Sequence, residues 1–182
     1  MKTQLHDLIY AAIFAALISA LAIISIPLPF TPVPVSGQSL GVMLTGCLLA
    51  PRQSALAIIT FLLLGAIGLP VFAGFSGGLG IILGPRGGYL FGYLVGAIMI
   101  SVGKGSGQNF WQLASANLFG GILIVYLIGV PWLSVTTGIS LDKALYIGAL
   151  PFILGDIIKV FIATSLGLTI NKRLQKNRIK IS

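Results

Sequence analysis

Apolar residues run through this chain in long, nearly unbroken stretches, not in the alternation of a half-buried strand or the narrow stripe of a soluble helix. Six such stretches can be drawn, over residues 5–26, 36–50, 53–69, 88–102, 110–128 and from 143 or 145 to 170. A hydrocarbon core about 30 Å thick needs about 20 apolar helical residues. The weaker signature of alternating barrel strands is absent from the pattern. The prediction is an all-α integral membrane protein, a six-helix bundle forming one domain over residues 1–182. The first stretch follows Lys2, as a signal peptide's would. It is too long for a typical h-region and lacks a small-x-small cleavage site, so it is read as a helix.

Two interruptions stand out. Residues 27–34 carry four prolines, which forbid a continuing helix yet leave the segment apolar, with Phe30 among them. An apolar extended loop belongs over the mouth of a bundle, as a lid or as a stiff connector. Residues 70–89 carry seven glycines between prolines and aromatics. Glycine permits close backbone approach to a ligand, and irregular backbone at membrane depth is tolerated where it lines a cavity. The segment is read as a re-entrant or cavity-lining loop. It lacks the strand-turn-helix setting of a dinucleotide fingerprint and the Gly-Lys-Ser/Thr of a P-loop. Residues 131–142 read as a polar loop, Trp111 and Trp132 as interfacial anchors, and Asn117 as an interhelical hydrogen-bonding amide. Gln38, next to the proline loop, could add a polar contact at the mouth.

Composition agrees with the pattern. Of the 182 residues 57% are hydrophobic and 8% charged, and the mean hydropathy is +1.06. The net charge of +8 does not describe a nucleic-acid surface, because Lys172, Arg173, Lys176, Arg178 and Lys180 crowd one end, as in a cytoplasmic anchor beside anionic lipid. With both termini in the cytoplasm, Lys2, Arg52, Lys104 and that cluster lie inside, and only Arg86 and Lys143 lie outside. The bundle mouth then opens outward. There is no glutamate, His6 is the sole histidine and Cys47 the sole cysteine, so metal catalysis and a Ser-His-Asp hydrolase are disfavoured. No cofactor is expected.

Lys159, the remaining basic residue, lies inside an apolar segment with an aspartate close by. Residues 150–159 place Asp156 and Lys159 three apart in an otherwise apolar helix. A charge at membrane depth costs about 2.5–3.5 kcal/mol on insertion scales and usually marks a substrate or ion pathway. Spacing i, i+3 sets the two groups on one face, able to pair or to grip one ligand. On the first segment, Ala11 with Ala15, and Ala12 with Ala16 and Ala20, form small-xxx-small faces. These suit either packing within the bundle or docking of a partner helix.

FTPVPV at 30–35 with Gln38, GAIGLPVFAG at 65–74, GGLG at 77–80, GPRGGY at 84–89 and GDIIK at 155–159 together resemble the BioY family, over residues 5 to 172. Members are the biotin-binding substrate-specific subunits, or S components, of energy-coupling factor (ECF) transporters. The resemblance implies a multi-pass subunit of a prokaryotic plasma membrane that binds biotin from outside. It also implies a transmembrane coupling protein and two cytoplasmic ATPases as partners. ATP would be used only by those partners, since this chain has no Walker motif. It further implies docking through Ala11, Ala12, Ala15, Ala16 and Ala20. Asp156 would accept from the ureido N–H groups and Lys159 would donate to a biotin oxygen, while Phe72, Phe75 and Tyr89 would pack on the ring and tail. The valerate carboxylate would meet Arg86 or backbone N–H groups of the glycine loop, around Gly74 and Gly77. Two other classes remain open. One is a self-sufficient proton-coupled secondary transporter of a small vitamin-like solute, working through Asp156. The other is an intramembrane enzyme, for which one Asp and one Lys are a thin catalytic set.

Overall fold

The computed structural model describes residues 5–179, with side chains to Lys176. Of the basic residues weighed above, Lys2, Lys180 and the side chain of Arg178 lie outside the described residues.

Helix α1 (Leu5–Ile23) runs into a short strand, β1 (Ser25–Ile26), and the proline segment returns as β2 (Val35–Ser36). The strands pair antiparallel, Ser25 opposite Ser36 and Ile26 opposite Val35, and the Gly37 N–H donates to the Ile24 carbonyl at 2.9 Å. Proline excludes a helix here, and the hairpin satisfies backbone groups that water cannot reach in an apolar setting. Helix α2 (Gln38–Leu48) is joined by two residues to α3 (Pro51–Ala66). Pro51 opens α3, where a missing N–H costs nothing, and Gln53 Oε1 accepts from the Ala50 N–H at 3.3 Å.

The glycine-rich segment folds into tight turns that end in the single-turn helix α4 (Leu79–Leu83). Phe72 and Ser76 exchange backbone hydrogen bonds of 2.9 and 3.2 Å, and the Gly78 N–H donates to the Gly65 carbonyl at 2.7 Å. The chain turns through left-handed backbone at Gly74 (φ 75°) and Gly78 (φ 96°), conformations that glycine adopts without strain. Helix α5 (Gly87–Gly103) follows.

The second half departs from the sequence reading in two places. Helix α6 (Phe110–Leu118) is capped by Asn109, whose side chain accepts from the Trp111 and Gln112 N–H groups. It passes through a π-helical stretch (Phe119–Ile124) into α7 (Val125–Thr137). Residues 131–137, expected in a loop, are helical. Pro131 removes one hydrogen bond but does not stop a helix that its neighbours support, and the terminator is Gly138 at φ 69°. The final segment is also two elements. Helix α8 (Leu141–Gly148) starts from Ser140, whose Oγ accepts from the Lys143 N–H at 3.4 Å. The chain breaks at Ala149 (φ −129°), and α9 (Leu150–Ile179) takes over with Pro151 in its first turn, where the missing N–H costs nothing.

The π-helical stretch packs closely on α5. A Cβ on Gly96 would lie 2.3 Å from the Gly120 carbonyl oxygen, and one on Gly120 would lie 2.6 Å from that of Gly96. Here α5 and the π-helical stretch meet backbone to backbone, a small-residue contact of the kind that holds helices together in lipid. The outward faces are apolar, with Leu63, Leu127, Leu154 and Phe161 all exposed. A belt of this kind is a membrane-facing surface, not that of a soluble monomer. Leu5–Ile23, Phe110–Thr137 and Leu150–Lys176 are long and apolar enough to cross a membrane, whereas Gln38–Leu48, Pro51–Ala66 and Gly87–Gly103 are shorter.

The alanine faces on α1 separate. Ala11 and Ala15 are buried inside the bundle, which corrects the expectation that they offer a docking surface. Ala12, Ala16 and Ala20 are exposed. Asn117 is fully buried and bridges three helices, with Nδ2 3.1 Å from both Cys47 Sγ on α2 and Thr164 Oγ1 on α9. Trp111 is exposed, as an interfacial anchor would be, but Trp132 donates from Nε1 to the Gly84 carbonyl at 2.9 Å and packs on Phe91.

Candidate ligand-binding site

Asp156 and Lys159 lie on one face of α9, with Lys159 Nζ 2.8 Å from Asp156 Oδ1. Asp156 is 6% exposed. Ser39, in the first turn of α2, completes a triangle: its hydroxyl donates to Asp156 Oδ1 at 3.2 Å and accepts from Lys159 Nζ at 2.9 Å. The Tyr126 hydroxyl, in the first turn of α7, donates to Asp156 Oδ2. One carboxylate thus ties α2, α7 and α9 together. The burial cost of the carboxylate is met by Lys159 and two hydroxyl donors, and that of the ammonium by Asp156 and the Ser39 oxygen, the arrangement a buried pair needs to persist.

Above this cluster lie two adjoining chambers. The first is lined by the Asp156 cluster together with Tyr89, Tyr93, Gly121, Val125 and Phe152. The second is lined by Gln38, Phe72, Ala73, Ile81, Arg86 and Leu90. Val33, Pro34, Ser36, Tyr89 and Tyr93 border both, so the proline hairpin is a common wall and the two tyrosines stand between the chambers. Tyr89 donates its hydroxyl to the Gly148 carbonyl at 2.7 Å, which anchors the ring between the chambers. Arg86 braces the second chamber. Its Nε donates to the Pro32 carbonyl at 2.8 Å, and one terminal nitrogen reaches the Ala73 carbonyl at 3.3 Å and Ser76 Oγ at 3.5 Å. Partial burial lowers the Arg86 pKa from its ordinary value.

The structure therefore gathers Asp156, Lys159, Tyr89, Arg86, Gln38 and Phe72 around one divided cavity. It does not bring Phe75, Gly74 or Gly77 there. Phe75 is 65% exposed on left-handed backbone (φ 53°), at the tip of the Phe72–Ser76 turn. A turn alternates inward and outward side chains, and Phe72 is the one turned in. Gly77 serves packing, since a Cβ there would fall 2.3 Å from the Leu69 carbonyl oxygen. Sequence reasoning missed Ser39, Tyr93, Tyr126 and Phe152. Tyr126 carried a usable signal: a phenol in the middle of an apolar run needs a hydrogen-bond partner. Ser39 carried none beyond its place beside Gln38.

Fold and site together define a membrane-embedded helical bundle enclosing a small-molecule cavity, with charged and polar groups at both ends and aromatic walls between. Comparison with known proteins gives the lineage. The BioY family profile matches residues 1–176. The biotin transporter BioY of Thermotoga maritima is 41% identical over 169 residues, covering 92% of this chain and 97% of that one. The biotin transporter BioY of Rhizobium etli is 39% identical over 171 residues, covering 89% and 91%. A crystal structure of the S-component for biotin from an ECF-type ABC transporter superposes with a TM-score of 0.86 at 33% identity, covering 94% of this chain and 95% of that one. The chain belongs to the BioY family.

Proposed function

We propose that this chain is the biotin-binding S component of an ECF-type uptake system. It lies in a prokaryotic plasma membrane as six helices with cytoplasmic termini. The observation that carries the reading is the buried Asp156–Lys159 pair, 2.8 Å apart, at the floor of an aromatic-walled cavity. A ureido ring offers two N–H donors and one carbonyl acceptor. Asp156 is acceptor-only and Lys159 donor-only, so the pair matches both halves of that ring. Family membership and the relatives' names support the substrate.

Asp156 already accepts from Ser39, Lys159 and Tyr126. A carboxylate has about four acceptor sites, so a ligand N–H takes the remaining one or replaces a neutral donor. Tyr89, Tyr93 and Phe152 supply the walls for the fused ring and tail, and Arg86 faces the acid end. The proline hairpin, with Val33 and Pro34 over both chambers, serves as the lid.

Uptake needs an energy source. The sequence carries no nucleotide-binding loop, so hydrolysis falls to two cytoplasmic ATPases, coupled to this chain through a transmembrane coupling protein. Ala12, Ala16 and Ala20 give that coupling protein a close-approach face on α1. Of the described basic residues outside the bundle interior, Arg52, Lys104, Lys172, Arg173 and Lys176 fall on the inner side in this topology, and Arg86 and Lys143 on the outer.

Isothermal titration of the purified chain against biotin, thiamine and riboflavin tests the assignment. Heat from biotin alone is the expected result. Binding of another vitamin in preference to biotin overturns it.

A further inference from the structure

Gln38 is the first residue of α2 and is 4% exposed, yet its Nε2 is buried without a hydrogen-bond partner among the described residues. Leaving such a donor unpaired carries its full desolvation penalty, so the position calls for an acceptor. The carboxamide's orientation says where that acceptor sits. Oε1 accepts from Ser36 Oγ at 3.5 Å, which turns the oxygen toward the hairpin and leaves the amino group for the second chamber, which Gln38 lines.

Besides Ser36, the polar side chains on that chamber are Arg86 and the tyrosines it shares with the first chamber, Tyr93 and Tyr89, the latter with its hydroxyl committed to the Gly148 carbonyl. Guanidinium has donors and no acceptor, and the free half of Gln38 likewise presents donors. The first chamber differs, for it holds the Asp156 carboxylate and mixes acceptor with donor. A chamber furnished with donors fits a ligand group that only accepts. The first turn of α2 has no acidic residue, and the positive end of the helix favours an anion there.

We infer that the Gln38 carboxamide donates to the acid group of the ligand beside Arg86, and so selects a carboxylate over its amide or ester. This deepens the biotin reading and rests on it. The two chambers then fix the ligand's direction, with the donor-and-acceptor end at Asp156 and the acceptor-only end at Gln38.

The experiment is titration of the full-length purified chain with biotin and with biotinamide, which keeps the ring and tail but replaces the carboxylate by a neutral amide, one carbonyl acceptor beside an N–H donor. Gln38→Leu keeps the volume and removes the donors; Gln38→Glu sets a carboxylate against the ligand's own. The expected result is a loss of about 10-fold or more for biotin in Gln38→Leu and a larger loss in Gln38→Glu. Biotinamide should lose less, by under about 3-fold, since its neutral carbonyl is a weaker acceptor for the Gln38 donors than a carboxylate. Equal losses for both ligands would make Gln38 a structural or ring-contacting residue, and no loss for either would leave its amide to a buried water; both overturn the inference. If Gln38→Glu fails to fold, the ratio of the two affinities in Gln38→Leu decides. Absence of biotin binding in the wild-type chain would refute the biotin reading as well, whereas normal wild-type binding with an unchanged ratio in the variants refutes only the role of Gln38.

Discussion

Ser39 Oγ donates to Asp156 Oδ1 at 3.2 Å, across 117 positions of sequence, and so joins the first turn of α2 to the second turn of α9 at the floor of the cavity. Lys159 reaches both of these residues. Breaking a buried pair from one side leaves an uncompensated charge and costs about 3–5 kcal/mol, while replacing both members with apolar groups is often neutral. Asp156→Asn and Lys159→Ala should each lower the thermal midpoint in detergent and abolish biotin binding. The paired variant Asp156→Leu/Lys159→Leu should regain the midpoint without regaining binding. Recovery of both would mean that the pair serves helix register alone, and near-wild-type affinity in both single variants would sink the ureido assignment.

Tyr126 and Ser39 orient the carboxylate from opposite sides. A hydrogen bond to a charged group contributes about 1.5–3 kcal/mol, so Tyr126→Phe should weaken biotin binding by about 10-fold or more. In an Asp156→Asn background the same substitution should change the thermal midpoint much less than it does alone. Additive effects on the midpoint in that double-mutant cycle would show that Tyr126 acts independently of Asp156.

The helices, the loops and the charged pair were legible because each breaks or keeps a one-dimensional pattern. Asp156 interrupts an apolar run, and the prolines at 27–34 interrupt another. What the pattern could not carry was three-dimensional exclusion. Pro131 reads as a breaker, yet the helix continues through it to Gly138. Ala11 and Ala12 are adjacent small residues in sequence, and only the packing of α1 puts one inside and the other outside. Phe72 and Phe75 are equally aromatic, but the turn between them buries the first and exposes the second. Ser39 joins the site through a contact that no local spacing encodes.

Arg86 holds the proline hairpin to the glycine turn through the carbonyls of Pro32 and Ala73. Removing the guanidinium leaves both acceptors without that donor and frees the two segments from each other. Arg86→Ala should raise amide hydrogen exchange across residues 35–37 and 72–78 while leaving α3 protected. Unchanged exchange in the hairpin would show that the strand pairing of Ser25 with Ser36 suffices to hold it.

Lys104 follows α5 and donates from Nζ to the Leu49 carbonyl at 2.6 Å, near the end of α2. Burial lowers its pKa from 10.5 to about 8. The unfolded chain therefore binds more protons than the folded one between these two values, and stability rises with pH across that window. The detergent-solubilised protein should gain thermal midpoint from about pH 8 toward pH 10.5, and Lys104→Met should flatten the rise. Parallel profiles for the two proteins would remove Lys104 as the source.

The two alanine faces of α1 separate folding from assembly. Ala15 is 1% exposed, so Ala15→Leu forces a larger side chain into packed space, at a cost of about 1–3 kcal/mol, and should lower the thermal midpoint and biotin binding together. Ala16 is exposed, and a larger group there has room in the isolated chain. On a surface where small residues permit close helix approach, that same group holds the partner helix away. Ala16→Leu should therefore leave the biotin titration and the midpoint of the purified chain unchanged, and should reduce both co-purification with the coupling protein and ATP-driven uptake in reconstituted vesicles. Normal uptake by Ala16→Leu, Ala12→Leu and Ala20→Leu alike would exclude this face of α1 as the docking surface. Because biotin binding and assembly are read in separate assays, that outcome would leave the cavity assignment intact and move the search for the interface to another of the exposed apolar faces.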